Sequence, residues 1–243
     1  MLHHSHWQPK QTKAQMWRQH YAQLARSSQH PLLQQYYQSL QPEPDLALSQ
    51  QPLLALDLET TGLDPGQDGI VSIGLVPFNA QRIYASQARQ YLVKPRFALR
   101  SDSVLLHKIT HSQIAGAPDL HDVLPELLQQ LAGKVVVAHH GVIERSFLSA
   151  AVQARWGEPL QFPLIDSYEL ERRWQAIRPL TLWQRWRGKG PLSLQLAACR
   201  ERYGLPAYAP HHAATDALAC AELLLAQCQT FCPSEPILAE LLC

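Results

Sequence analysis

The sequence is short of net charge. Lys and Arg number 21 against 20 Asp and Glu, which leaves +1 at pH 7 with the 12 His neutral. Proteins that coat long duplexes carry a strong excess of cations. Wrapping of that kind is excluded, whereas a local grip on a few phosphates is not. Cysteine is equally uninformative as a framework. Cys199, Cys220, Cys228, Cys232 and Cys243 are odd in number, crowd the last fifth of the chain and form no CxxC pair. Neither a disulfide scaffold nor a structural zinc site is expected; reduced, mostly buried thiols are. No apolar run approaches the roughly 18 residues of a membrane span. The opening Met1-Leu2-His3-His4-Ser5-His6 lacks the basic-then-apolar order of a signal peptide. A cytoplasmic protein without membrane association is the expectation. Internal repeats are absent.

What is present is a globular composition. Hydrophobic residues make up 46% and charged residues 17% of 243, enough for one large domain or a domain with an appendage. Residues 1–48 are rich in Gln, His and aromatics. Trp17, Tyr21, Leu24, Leu32, Leu33, Tyr36, Tyr37 and Leu40 recur at helical spacing, which predicts one or two amphipathic helices packed on the main body. Pro42 and Pro44 close this extension, so residues 49–243 form the main domain.

That domain opens with strands. Leu53–Glu59 reads as a buried strand, Thr60–Gly66 as turn chemistry, and Ile70–Pro77 and Gln90–Val93 as the next two strands of an antiparallel meander. Helix and strand then alternate: a helix over Leu120–Leu131, a strand over Lys134–Ala138, a helix over Val142–Val152, a strand over Pro163–Asp166 and a helix from Ser167. Helices over Leu192–Tyr203, Ala213–Cys228 and Ile237–Leu242 complete the chain. Meander first and alternation later predict an α/β fold with a mixed sheet.

Three places carry chemistry. Asp57 and Glu59 lie two apart on an apolar strand and so face one way. Leu53 and Ala55 share their parity, so that face turns polar only at the strand's C-terminal end, where α/β sheets build sites. Two close carboxylates without basic neighbours call for a divalent cation; the alternative is a solvated strand face. Glu144 stands beyond the Val-rich strand, at the start of a helix, where pairing with a neighbouring arginine is the ordinary reading. His211 and Asp216 flank the start of a helix of small residues. His211, with an ordinary pKa near 6.5, suits a general base.

In order, these read Asp57-x-Glu59-Thr60-Thr61-Gly62, then Ala138-His139-x-x-x-x-Glu144-x-x-Phe147-Leu148, then His211-x-Ala213-x-x-Asp216-Ala217. From Leu53 to Cys228 the chain resembles the DEDDh exonuclease family, the group of polymerase proofreading subunits, ribonuclease T and oligoribonuclease. Val104–Thr110, with His107, resembles a further family segment. The resemblance implies a ribonuclease-H-like fold, a five-stranded mixed sheet flanked by helices. It implies that Asp57, Glu59, Glu144 and Asp216 hold two Mg²⁺ or Mn²⁺ ions and that His211 deprotonates the attacking water. It places Thr60 and Leu63 near the terminal nucleotide and makes His107 a candidate for substrate contact, while His140 either contacts substrate or is a satisfied surface histidine. The implied activity is 3′–5′ exonucleolytic release of nucleoside 5′-monophosphates, with DNA favoured over RNA or short oligonucleotides. The partners are single strands or duplex 3′ ends. A non-catalytic polymerase-accessory or nucleic-acid-binding role is the rival, and homodimerisation and polymerase association are both open.

The pattern departs from the family at Glu144, where aspartate is usual. The extra methylene adds about 1.5 Å of reach, which predicts a shifted metal preference. Ile143 replaces phenylalanine, and His140 replaces a frequent asparagine. Asp166 reads as a helix cap rather than a catalytic acid. Finally, Arg172-Arg173-Trp174, Arg178 and Trp183-Gln184-Arg185-Trp186-Arg187 interleave cations with indoles. Such a segment either grips nucleic acid through Arg185 and Arg187 or buries its indoles in the core.

Overall fold

Strand β1 (Leu53–Thr60) runs through the middle of the molecule and takes a different kind of partner on each side. The computed structural model describes residues 11–40, 43, 45–97, 111–177, 192–232 and 234–242. On one side β1 pairs antiparallel with β2 (Ile70–Phe78), which pairs antiparallel with β3 (Arg89–Leu92). On the other it runs parallel to β4 (Val135–Ala138), itself parallel to β5 (Leu164–Asp166). The five-stranded order is β3-β2-β1-β4-β5, the mixed sheet the sequence predicts.

The two pairings of β1 differ in length, and this opens the site. Pairing with β4 ends at Ala55 opposite Val137, whereas pairing with β2 continues to Thr60 with a register shift after Glu59. Asp57 and Glu59 therefore project past the last β4 partner. Beyond β4 the chain turns at His140, which takes φ 74°, and enters the helix that starts at Val142.

Helices cover both sheet faces. α1 (Gln11–Ser27), α2 (Pro31–Ser39), α4 (Leu120–Leu131) and α5 (Val142–Trp156) pack on the face of Leu54, Leu56, Ile73 and Val136. α6 (Ser167–Ile177), α8 (Ala213–Phe231) and the short α9 (Leu238–Leu241) pack on the face of Leu53, Ala55, Val76 and Val137. A short α3 (His111–Ala115) and α7 (Leu196–Arg202) complete the set. Because strand side chains alternate, Asp57 and Glu59 point to the α8 face.

The N-terminal helices are built into the first core. Tyr21, Leu33, Tyr36 and Tyr37 are buried in one cluster with Leu54, Leu124 and Leu160. Glu158, after α5, accepts hydrogen bonds from the Ser28 hydroxyl (2.7 Å) and from the amides of Gln29 (2.7 Å) and His30 (2.9 Å), satisfying donors at the start of α2. The Tyr37 hydroxyl donates to Pro159 O and accepts from Gln161 N, each at 3.1 Å.

Some boundaries differ from expectation. α7 begins at Leu196 rather than Leu192, because Leu194 gives its carbonyl to His139 across the cleft instead of to a helix. α3 has too few residues for a periodic signal. Among the described cysteines, Cys199 and Cys220 are buried and Cys228 and Cys232 half-buried, all as free thiols. Among the described residues no helix is long and apolar enough to cross a membrane.

Candidate metal centre

At the free end of β1, Glu59 is 4% exposed and Asp57 half-buried. Asp216 enters from the first turn of α8, and oxygens of Asp57, Glu59 and Asp216 lie within 4.8 Å of one another. The close approach depends on Gly74, which sits directly opposite Asp57 on β2. A Cβ there would fall 2.1 Å from the carbonyl carbon of Ala213 and 2.3 Å from the amide nitrogen of Ala214. The first turn of α8 thus lies on bare strand backbone, helped by Ala213 and Ala217, both fully buried. Any side chain at position 74 would lift Asp216 away from β1.

Glu144 reaches in from the first turn of α5. It is 4% exposed, and its Oε2 has no hydrogen-bond partner among the described residues. Burial pushes its carboxyl up to about 8; its own backbone amide opposes the shift and the Asp166 carboxylate adds to it. Asp57 is driven well above the ordinary carboxylate range, first by burial and then by repulsion from Glu144, Asp216 and Glu59. Asp216 is raised by burial, against the stabilising amide of His211. Acids held in this way, with one buried oxygen unpartnered, fit a divalent cation, whose charge would reverse every one of these penalties.

Asp216 also shapes the neighbouring loop. Its Oδ2 accepts from His211 N at 2.8 Å and His212 N at 3.3 Å, which leaves Oδ1 for a cation. His212 caps α8 through Thr215 N. His211 is held at φ 68°, a left-handed conformation that costs a non-glycine residue and concentrates at functional positions. It is exposed, and with Asp57, His139 and Asp216 it lines a cleft of about 1030 Å³ whose far wall is α7 and the loop after it.

The remaining expected residues fall in different places. Asp166 accepts from Tyr168 N at 3.0 Å, the helix cap expected of it. It also accepts from His140 N and Gly141 N, each at 2.9 Å, and so pins the turn that delivers Glu144. The exposed His140 ring stacks on Tyr168 at 4.7 Å. His139 bridges Ser167 Oγ and Leu194 O at 2.8 Å each, and burial lowers its pKa. Thr60 is buried and donates to Gly62 O at 2.6 Å, shaping the turn. Leu63, at the tip of that turn, is 82% exposed. His107, Arg185 and Arg187 lie outside the described residues.

Of the two readings of the cation-and-indole segment, its described portion follows the structural one: Arg172 and Arg173 pair with Glu169 along α6, and Trp174 is buried against Phe231 with ring centroids 4.0 Å apart. Gly74 and the second task of Asp166 are passed over in the sequence reading. A glycine inside an apolar strand signals close backbone approach, and Gly74 carries that signal.

Comparison with known proteins agrees with this geometry. The family model described as Exonuclease (RNase_T) matches residues 54–224. The chain is similar to DNA polymerase III subunit epsilon of Treponema pallidum, 30% identical over 169 residues, covering 70% of this chain and 73% of that one. It is also similar to the PolC-type DNA polymerase III of Thermotoga maritima, 28% identical over 71% of this chain but only 11% of that protein. Among solved structures, exonuclease X in complex with 5′-overhanging duplex DNA shares the fold with TM-score 0.58 and 24% identity, over 78% of this chain and 98% of that one. The nuclease domain of 3′hExo, a DEDDh family member bound to rAMP, shares it with TM-score 0.59 and 17% identity, over 74% and 93% of the two chains. The chain therefore belongs to the exonuclease family, as a metal-dependent 3′–5′ exonuclease.

Proposed function

We propose that the chain removes nucleotides from the 3′ end of DNA, releasing nucleoside 5′-monophosphates, with two Mg²⁺ or Mn²⁺ ions held by Asp57, Glu59, Asp216 and Glu144. The observation that carries this is the convergence of Asp57, Glu59 and Asp216 within 4.8 Å, beside a buried, unpartnered Glu144 oxygen and an exposed His211. When bound, such ions acidify the attacking water and stabilise charge on the scissile phosphate and its leaving oxygen. His211 takes the proton of that water at its imidazole as the new P–O bond forms and the bond to the 3′-oxygen breaks. Asp216 orients His211 by accepting its amide. Leu63, on its exposed turn, offers an apolar surface to the terminal base, with Thr60 fixing the turn beneath it. His140, stacked on Tyr168 beside the Glu144 turn, is exposed and free to meet the bound nucleic acid.

The likeness to an epsilon subunit supports DNA as substrate and association with a polymerase. The chemistry belongs to residues 49–243, with 1–48 as an extension, in a cytoplasmic enzyme. The test is incubation with 3′- and 5′-labelled single-stranded DNA and RNA of one sequence, under Mg²⁺, Mn²⁺ or EDTA, beside Asp57→Ala. Metal-dependent shortening from the 3′ end, faster on DNA and absent in Asp57→Ala, is expected. Faster shortening of RNA would move the substrate to RNA. No degradation under either metal would leave a binding role and overturn the proposal.

A further inference from the structure

The loop that carries His211 has little backbone support of its own. Among the described residues, positions 206–210 make no backbone–backbone hydrogen bond; the last before them is Leu205 N to Arg200 O at 3.1 Å. Two prolines, Pro206 and Pro210, remove donors from the stretch. Yet its far end holds His211 in a left-handed conformation within reach of the acids. Something other than the loop backbone must fix it.

That support is a buried cation. Arg200, on α7, is 3% exposed. One terminal nitrogen donates to Ala219 O on α8 at 2.6 Å, three residues past Asp216. The other donates to Pro206 O at 2.8 Å and to Glu222 Oε2 at 2.7 Å. The guanidinium carbon lies 4.6 Å from the centre of the Tyr208 ring, and the Tyr208 hydroxyl donates back to Glu222 Oε1 at 3.0 Å. Arg200 thus touches the loop at two points and the helix of Asp216 at two more. Its Nε has no partner among the described residues, so the charge is kept in the core at a cost. A rigid planar fork is the side chain that can serve carbonyl, carboxylate and ring together.

We propose that Arg200, with Tyr208 and Glu222, is a positioning device that fixes the 204–212 loop against α8 and so holds His211 at the attacking water. The inference rests on the reading of His211 as general base. Arg200 does not touch the acids and holds no metal. Its effect runs through the geometry of the base, where a displacement of about 1 Å can cost on the order of a hundredfold in rate.

The experiment is a double-mutant cycle on a 3′-labelled single-stranded DNA under saturating Mg²⁺. Its members are the wild type, Arg200→Met, His211→Ala and the double variant, with thermal melts on each. Arg200→Met is expected to lower kcat about tenfold to a hundredfold with KM within about twofold, and to have almost no further effect once His211 is absent. Equal losses in both backgrounds would make Arg200 a fold-stabilising residue only and overturn the proposal. Full activity of His211→Ala would instead remove the base reading itself, a distinct failure. Should Arg200→Met not fold, Tyr208→Leu, at a half-exposed position, replaces it in the cycle. It is expected to show the same dependence on His211 at a smaller size, and independence from His211 would again overturn the assignment.

Discussion

Two halves of the site are held in opposite ways. Asp57 and Glu59 stand on a central strand fixed by β2 along its whole length and sunk between two layers of helices. His211 stands in an exposed loop with a strained backbone, tied down by side chains: Asp216 at its own amide, and Arg200 farther back. Groups that hold a cation must keep their spacing through every turnover, which a sheet provides. A group that passes a proton needs exposure and correct aim, which an anchored loop provides.

The largest way to break this comparison is to remove one member of each half. Asp57→Asn should cost a thousandfold or more in rate, on the order of losing the main electrostatic stabilisation, and should abolish the rise in Tm that added Mn²⁺ produces through binding the folded state. His211→Ala should cost about a hundredfold to a thousandfold, the scale of a lost general base, while the Mn²⁺-induced rise in Tm persists. Loss of that rise in both variants would mean that the two halves are one unit.

Next in size is the joint between the halves. Gly74→Ala places a methyl into the backbone of Ala213. Overpacking of this kind costs on the order of 1–3 kcal/mol, which lowers Tm by about 2–12 °C in a domain of this size. Activity should fall more than stability, because the displaced turn carries both Asp216 and the bond that aims His211. A variant that melts earlier yet keeps full activity would show that the helix can lift without the acids separating.

A smaller effect concerns protons. In EDTA the Glu144 carboxyl, ordinarily at 4.5, is pushed up to about 8 in the folded chain. The folded state therefore binds a proton that the unfolded state has already lost. That stabilisation is complete below about pH 4.5 and is lost as pH rises through 8. His139, lowered by burial, acts in the opposite sense, its contribution being lost as pH falls. The informative quantity is thus the difference between wild type and Glu144→Gln across pH 5 to 8: the variant should gain on the wild type as pH rises. Saturating Mg²⁺ should remove the gap, and a constant difference in EDTA would mean that folding does not shift the Glu144 carboxyl. Smallest of all is Glu144→Asp. It should change activity less than about tenfold while altering the ratio of rates with Mn²⁺ and Mg²⁺, because a methylene moves the ligand by about 1.5 Å. Identical ratios would remove any special role for the longer acid.

The two halves also differ in legibility. The strand half announces itself locally: acids two apart at the end of an apolar strand repel each other at a cost that a cation relieves. The mixed sheet follows from strand spacing alone. The loop half does not announce itself, because a histidine and an aspartate five residues apart are ordinary until the neighbouring motifs are read with them. Arg200 and Gly74 are harder still. Arg200 acts through contacts with Pro206, Tyr208 and Glu222 that only the folded chain brings together. Gly74 matters for the side chain it lacks. Trp174 is ambiguous in sequence because of its basic neighbours; in the folded chain Arg172 and Arg173 pair with Glu169 on the same helix and the indole packs in the core.

The bonds that Glu158 accepts from Ser28, Gln29 and His30 bear on how this protein can be shortened. A fragment starting at residue 49 would keep every acid of the catalytic face. It would also strip Tyr21, Leu33 and Tyr36 from the buried cluster they share with Leu54, Leu124 and Leu160, and would leave Glu158 without the Ser28, Gln29 and His30 donors. The shortened chain would meet its own kind through that bared layer, so a cut made to isolate the enzyme is expected to yield an aggregate.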